Sequence, residues 1–167
     1  MQRLKKISSF RLDFNGTVFD YVNGHDDLLN KKVRFVGIPQ NRVQEDYLRI
    51  LRYFRFFSQV SASPHEHDEA SIKAIRENVH GLAGISSERK VMELRKILKN
   101  RYSDTFMQMF YDLRIAEYVG LPASGNTQNY FSVYEKCFHL APSTMTLLFA
   151  LLNHKEDVGP SFKFGKN

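Results

Sequence analysis

Between residues 42 and 57 the apolar side chains Val43, Tyr47, Ile50, Leu51, Phe54 and Phe57 recur at steps of three and four, the spacing of one helical face and not of a strand. Asn41 is placed to cap that helix, with Gln44 three positions on as its capping-box partner, and the period predicts helix to about Gln59. Arg42, Glu45, Asp46, Arg49 and Arg52 fall on the other side. A helix with so aromatic a face needs further elements to cover it, so the rest of the chain must supply a core.

The sequence after it reads as more helices. Ser63 and Pro64 followed by Glu66 predict a second start, with Ile72, Ile75 and Val79 as its stripe and Gly81 beyond its end. Ser86 is placed to cap a third helix through Asn100, in which Val91, Leu94 and Leu98 face inward while Arg89, Lys96 and Lys99 lie near one line. That line is a candidate phosphate-facing stripe. Ser103 or Asp104 opens a fourth helix carrying Phe106, Met109, Phe110 and Leu113, closed by Gly120 and Pro122. A fifth has Tyr130, Val133, Tyr134, Cys137 and Phe138 on one face, and a sixth starts at Pro142 or Ser143 and runs through Leu152. The tail, residues 158–167, has no period and reads as frayed.

Upstream the pattern changes. Asn15 and Gly16 can supply the two positive-φ positions of a type I′ turn, which predicts a hairpin with Leu12 facing Phe19, Phe10 facing Tyr21 and Arg11 opposite Asp20. Two strands are marginal alone, so the hairpin belongs to a larger sheet or lies under a helix. Residues 22–40 read as a connection with a short extended piece at 32–36.

Composition narrows the function classes. The 24 Lys and Arg against 18 Asp and Glu leave a net charge of +6, which permits an anionic partner without naming one. A single cysteine, Cys137, excludes an internal disulfide and a cysteine metal cage. The longest apolar run, residues 147–152, is far short of the roughly 20 residues of a membrane span, so no membrane is expected as a partner. The first twelve residues hold Arg3, Lys5, Lys6 and Arg11 without an acid, the bias of an organelle transit peptide, although the strand reading competes for the same residues.

The chemistry concentrates at residues 42–56. On a helix Asp46 and Glu45 stand three and four positions from Arg49, so a carboxylate acceptor and guanidinium donors share one surface. A nucleobase edge asks for that combination: the carboxylate accepts from an exocyclic amine while Arg donates to a ring nitrogen or carbonyl. Ordinary surface ion pairs worth a few tenths of a kcal/mol would look the same by spacing alone.

These residues resemble a known family. The run Glu45-Asp-Tyr-Leu-Arg-Ile-Leu-Arg-Tyr-Phe-Arg-Phe56, preceded by Val36-Gly-Ile-Pro39 and Arg42, is similar to the neck motif of class II tRNA nucleotidyltransferases, the CCA-adding enzymes, and in particular to that of the animal enzymes. Asn15-Gly-Thr-Val-Phe-Asp20 through Gly24-His-Asp-Asp-Leu28 looks like the end of the family's catalytic head, and Gly81-Leu-Ala-Gly-Ile-Ser-Ser-Glu-Arg89 with Glu93 and Leu94 resembles its later neck motif. The resemblance covers about residues 7–152. It implies a mainly α chain: an N-terminal β-hairpin remnant of an α/β nucleotidyltransferase head, followed by an all-helical neck and body. The implied divisions are 1–38 for the head remnant, 39–101 for the neck, 102–157 for the body and 158–167 for the tail.

The implied activity is addition of C, C and A to the tRNA 3′ end from CTP and ATP. Carried over, Asp46 and Arg49 would read the base, Arg52 and Glu45 would support the nucleotide, and Ser86, Glu88 and Arg89 would brace the neck. Lys96 and Lys99 are the candidate tRNA phosphate contacts. The implied partners are tRNA, CTP and ATP, with a homodimer left open, in a mitochondrial or a cytoplasmic and nuclear setting. Mg²⁺ is implied for the complete family enzyme, with no metal bound by this chain.

The departures matter as much. The family's transfer chemistry uses two metal ions held by paired head carboxylates. This sequence contains no Asp-x-Asp, and where the ribose-binding Arg-Arg-Asp-x-x-x-Asn-Ala motif should fall, at residues 2–9, only Arg3 and Ile7 correspond. The chain therefore reads as a truncated form or a fragment, catalytically inactive alone. The alternative is a non-catalytic RNA-binding helical module. Elsewhere, His65, Glu66, His67 and Asp68 read as a solvated turn and not as metal ligands, Asp26 and Asp27 as solvated or capping charge, Cys137 as an inert core thiol, and the aromatic run 53–57 mostly as core.

Overall fold

The computed structural model of the protein describes residues 10–152. Most of the acid-free opening, the remnant of the ribose motif and the tail at 158–167 lie outside the described residues. Within them the chain is mainly helical behind one two-stranded sheet.

The sheet pairs β1 (Phe10–Leu12) with β2 (Val18–Asp20) antiparallel, Phe10 opposite Asp20, Arg11 opposite Phe19 and Leu12 opposite Val18. This is one residue away from the type I′ register, and Asp13 is the reason. Its Oδ1 accepts from Asn15 N at 2.9 Å and Thr17 N at 2.8 Å, while its own N–H donates to the Thr17 carbonyl at 3.0 Å. Gly16 takes a positive φ of 85° and Asn15 does not, so the loop is a three-residue turn with a glycine bulge.

Asp20 then starts α1 (Gly24–Leu29), accepting at its carboxylate from the N–H groups of Val22, Gly24 and His25 at 3.1, 2.9 and 2.8 Å. This helix replaces part of the connection expected at 22–40, and residues 32–35 pair in no sheet, with Val33 buried. Asp27 is not simply solvated: it pairs with Arg34 at 2.8 Å.

The single helix expected from Asn41 to Gln59 is two. α2 (Pro39–Glu45) begins at Pro39, with Ile38 as its N-cap and Asn41 inside it, because proline's fixed φ and missing N–H suit the first turn. At Asp46 the backbone is extended, φ −158° and ψ 97°, and α3 (Arg49–Val60) starts afresh. α4 (Glu69–Asn78) starts later than Pro64. Its cap is Asp68, whose Oδ2 accepts from Ser71 N at 2.8 Å and from the Ser71 hydroxyl at 2.6 Å. A 3₁₀ segment, Val79–Gly84, leads to α5 (Ser87–Leu98). Then follow α6 (Ser103–Asp112), α7 (Ile115–Val119), α8 (Thr127–Cys137) and α9 (Thr144–Phe149), the last shorter than its apolar run predicts.

The helices pair as α2 on α4, α3 on α5 and α6 on α8. The shared core holds Phe54 edge-on to Phe106 and Phe110 at ring distances of 5.4 and 5.0 Å, with Leu51, Ile75, Leu94 and Ile97 fully buried around it. Tyr53, Phe54 and Phe57 are core, as their spacing predicts. Arg101 closes the C-terminal end of α3 by donating to the carbonyls of Ser58 and Ser61, groups that an ending helix leaves unpaired. The face of α3 opposite this core is thereby fixed, and it carries the arginines.

Candidate functional site

The break at Asp46 builds the site. Asp46 Oδ1 accepts from Leu48 N at 3.2 Å and the Asp46 carbonyl from Arg49 N at 2.9 Å, so the extended residue fixes the turn that leads into α3 while its carboxylate stands at the junction of two helices. Oδ2 accepts from Arg52 Nη1 at 3.1 Å, and Arg89 Nη2 approaches Oδ1 from α5 at 3.8 Å. Arg49 does not pair with Asp46 here. Its Nη1 donates to Glu45 at 2.6 Å and to the Arg42 carbonyl at 2.5 Å. The contact with Arg49 holds the Glu45 carboxyl below its ordinary value.

Burial divides these residues. Arg49 is 9% exposed and its Nε is buried without a hydrogen-bond partner, so it does not share an open surface with Asp46 as helical spacing predicts. Break and burial go together, because the turn between α2 and α3 folds the Arg49 side chain back under the C-terminal end of α2. Asp46 and Arg52 are half-buried. Arg42, Arg49 and Arg52, with Arg34, Val36 and Phe56, line a shallow open cleft. Phe56 lies under the Arg55 guanidinium at 4.3 Å and is a half-buried member of the aromatic run that lines the cleft together with the buried Tyr53.

Glu93 is the member that spacing did not single out. It is buried on α5, and the Arg55 guanidinium straddles it, donating to Oε1 at 3.1 Å and standing 2.8 Å from Oε2 without hydrogen-bond alignment. Arg52 Nε lies 3.8 Å and Lys96 Nζ 3.5 Å from Oε1. The signal was present: a lone acid one position before Leu94, on the face whose Ile97 and Leu98 are core, must meet bases on a neighbouring helix. Ser86 and Glu88 are exposed at the start of α5, and Ser86 makes no side-chain cap bond. Arg89, Lys96 and Lys99 are all exposed.

Among the described residues Arg42, Arg49, Arg52, Arg55 and Arg89 thus pair with Glu45, Asp46 and Glu93, an excess of guanidinium that suits an anionic ligand, while the Asp46 carboxylate can accept from an amine beside it. Among the described residues no three His, Cys, Asp or Glu side chains are grouped to hold a metal ion, so they do not fit the two-metal centre that the resemblance implies for the complete enzyme. His67 is sandwiched instead: stacked on Phe57 at 3.9 Å and hydrogen-bonded at Nδ1 to the Tyr53 hydroxyl at 3.1 Å. Cys137 is a half-buried free thiol.

The human mitochondrial CCA tRNA nucleotidyltransferase 1 is 47% identical over 152 residues, which are 91% of this chain. The chain carries a region of the CCA-adding enzyme family. It spans 35% of the length of that human relative. The CCA-adding enzyme of Bacillus stearothermophilus, solved in complex with CTP, superposes with a TM-score of 0.59 at 28% identity, over 79% of this chain and 30% of that one. The Thermotoga maritima CCA-adding enzyme complexed with tRNA shares the fold at a TM-score of 0.64 and 17% identity, over 85% and 37% of the two chains. A family profile described as the probable RNA and SrmB-binding site of polymerase A matches residues 67–122, from the ring of His67 through α4, α5, α6 and α7 to Pro122. In this CCA-adding enzyme region Asp46 and Arg49 precede the profile, while Glu93 and the α5 lysines lie inside it. No helix among the described residues is long and apolar enough to cross a membrane.

Proposed function

We propose that this chain is the base-reading neck and adjoining body of a mitochondrial CCA-adding enzyme, with tRNA, CTP and ATP as its partners. The observation that carries the reading is a junction carboxylate, Asp46, set three residues before a buried guanidinium, Arg49, which pairs with Glu45, leaves its Nε without a partner and lines the cleft. Cytosine and adenine each present an exocyclic amine next to a ring acceptor. Asp46 accepts from that amine and Arg49 donates to the ring, so one template serves both bases. Uracil and guanine offer a carbonyl where the amine should be, and two acceptors then face each other.

Glu45 holds Arg49 in place, Arg52 backs Asp46 from the cleft side, and Arg89 with Glu93 ties α5 to the pair. The exposed Arg89, Lys96 and Lys99 are the surface proposed for tRNA phosphates. Nucleotidyl transfer itself needs carboxylates that this sequence does not contain, so the 167 residues alone are proposed to be inactive. The mitochondrial setting follows the names of the relatives.

The test is incorporation of labelled CTP and ATP into tRNA lacking its 3′ end, in Mg²⁺, by this chain and by the chain placed behind a family catalytic head. Activity only in the extended form is the expected result. Transfer by the short chain would overturn its inactivity, and none by either form would leave an RNA-binding module in its place.

A further inference from the structure

Tyr47 lies between Asp46 and Leu48 in the break, and its ring rests on Gly81 of the 3₁₀ segment Val79–Gly84. A Cβ built on Gly81 would fall inside that ring, overlapping Cγ, Cδ1 and Cε1. Only glycine permits so close an approach. The backbone at Tyr47 is held at the same time from the other side, where its carbonyl accepts from Ile50 N at 3.1 Å and the next N–H, that of Leu48, donates to the Asp46 carboxylate.

The Gly81 side of the contact is also fixed. Gln44 at the end of α2 donates to Asn78 Oδ1 at 3.0 Å, one residue before the 3₁₀ segment, and Lys90 on α5 donates to the Leu82 carbonyl at 3.3 Å. The segment is thus tied to the helix before Asp46 and to the helix that brings Arg89 to within 3.8 Å of it. The Tyr47 ring is half-buried and Leu48, Ile50 and Leu51 behind it are packed, so a ring pushed off Gly81 moves toward solvent and carries the extended backbone of the adjoining Asp46 with it.

We propose that the face contact of Tyr47 on Gly81 positions the Asp46 carboxylate for base selection, making both of them positioning residues for the nucleotide. The inference rests on the base-reading role proposed above. A carboxylate moved by about 1 Å no longer meets an exocyclic amine and a guanidinium-bound ring together, and misplacement on that scale is worth up to about 100-fold in well-aligned sites.

The test uses the full 167-residue chain, titrated with CTP, ATP and UTP and followed by amide NMR shifts, with thermal melting as the check on folding. Wild type is expected to favour CTP and ATP over UTP by about tenfold. Gly81→Ala should bring that ratio to about one in a chain that still melts cooperatively, whereas Tyr47→Phe, which keeps the ring, should retain it. In Tyr47→Ala/Gly81→Ala the ratio should fall no further than in Tyr47→Ala, because the ring that the new Cβ meets is gone. A wild-type ratio in folded Gly81→Ala, or additive losses in the double variant, overturns the inference. Should Gly81→Ala fail to fold, Tyr47→Ala decides it on the same ratio. Asp46→Asn separates the two claims: an unchanged ratio there sinks base reading and this inference together, while its collapse beside an unmoved Gly81→Ala sinks only the positioning role.

Discussion

Glu93 on α5 accepts a hydrogen bond at 3.1 Å from Arg55 on α3 while lying 3.8 Å from the Arg52 guanidinium, so one buried carboxylate faces two arginines of the candidate site. Removing it leaves those charges against a packed interface. Glu93→Ala is expected to destabilise the chain by about 3 kcal/mol, the cost of breaking a buried pair from one side. Glu93→Gln, which keeps the shape, should lose less. Urea melts with an unchanged slope are the measurement, and a loss below about 0.5 kcal/mol in Glu93→Ala would show that the α3–α5 contact does not depend on this acid.

Arg49 and Asp46 should separate in the same experiment. Arg49→Ala removes donors to Glu45 and to the Arg42 carbonyl from a buried position, and about 2 kcal/mol of stability should go with them. Asp46→Asn keeps an acceptor for Leu48 N and a side chain of the same shape, so it should cost under about 1 kcal/mol. Equal losses in the two variants would contradict the division of burial between them.

Acid should weaken the fold before its carboxylates titrate. Burial between Tyr53 and Phe57 lowers His67 to about 4, against an ordinary value of 6.5. The unfolded chain takes up this proton as pH falls through 6.5 and the folded chain does not until about 4, so stability is present above 6.5 and lost progressively down to 4. The melting temperature should fall across that window, and His67→Phe, which keeps the ring stack, should flatten it. A wild-type melting temperature constant from pH 7 to 4.5 would contradict the buried neutral imidazole.

Much of this architecture was legible in the sequence, and the failures share a cause. The apolar stripe from Val43 to Phe57 identified the core of α3 because helical spacing and burial agree there. The same stripe hid the break at Asp46, since Val43, Tyr47 and Ile50 keep a helical interval across one extended residue. What interrupts the helix is a side chain bonding its own backbone, a local competition that periodicity does not register. Asp13 in the hairpin and Asp68 ahead of α4 misled the reading in the same way, each carboxylate setting a register or a start that the neighbouring glycine or proline seemed to set. Asp46 and Arg49 were legible as a pair of residue types, but the burial of Arg49 depends on how α2 folds back and could not be read from spacing. Glu93 was legible as a misplaced charge, and its partners on α3 were not.

The central claim, that Asp46 selects the base by accepting from its amine, is tested most directly by UTP. In the chain placed behind a family catalytic head, Asp46→Asn exchanges a pure acceptor for a side chain that can also donate to the uracil carbonyl. The account predicts UTP incorporation into tRNA lacking its 3′ end, with discrimination between CTP and UTP reduced at least about tenfold. Discrimination equal to that of the parent enzyme would contradict it.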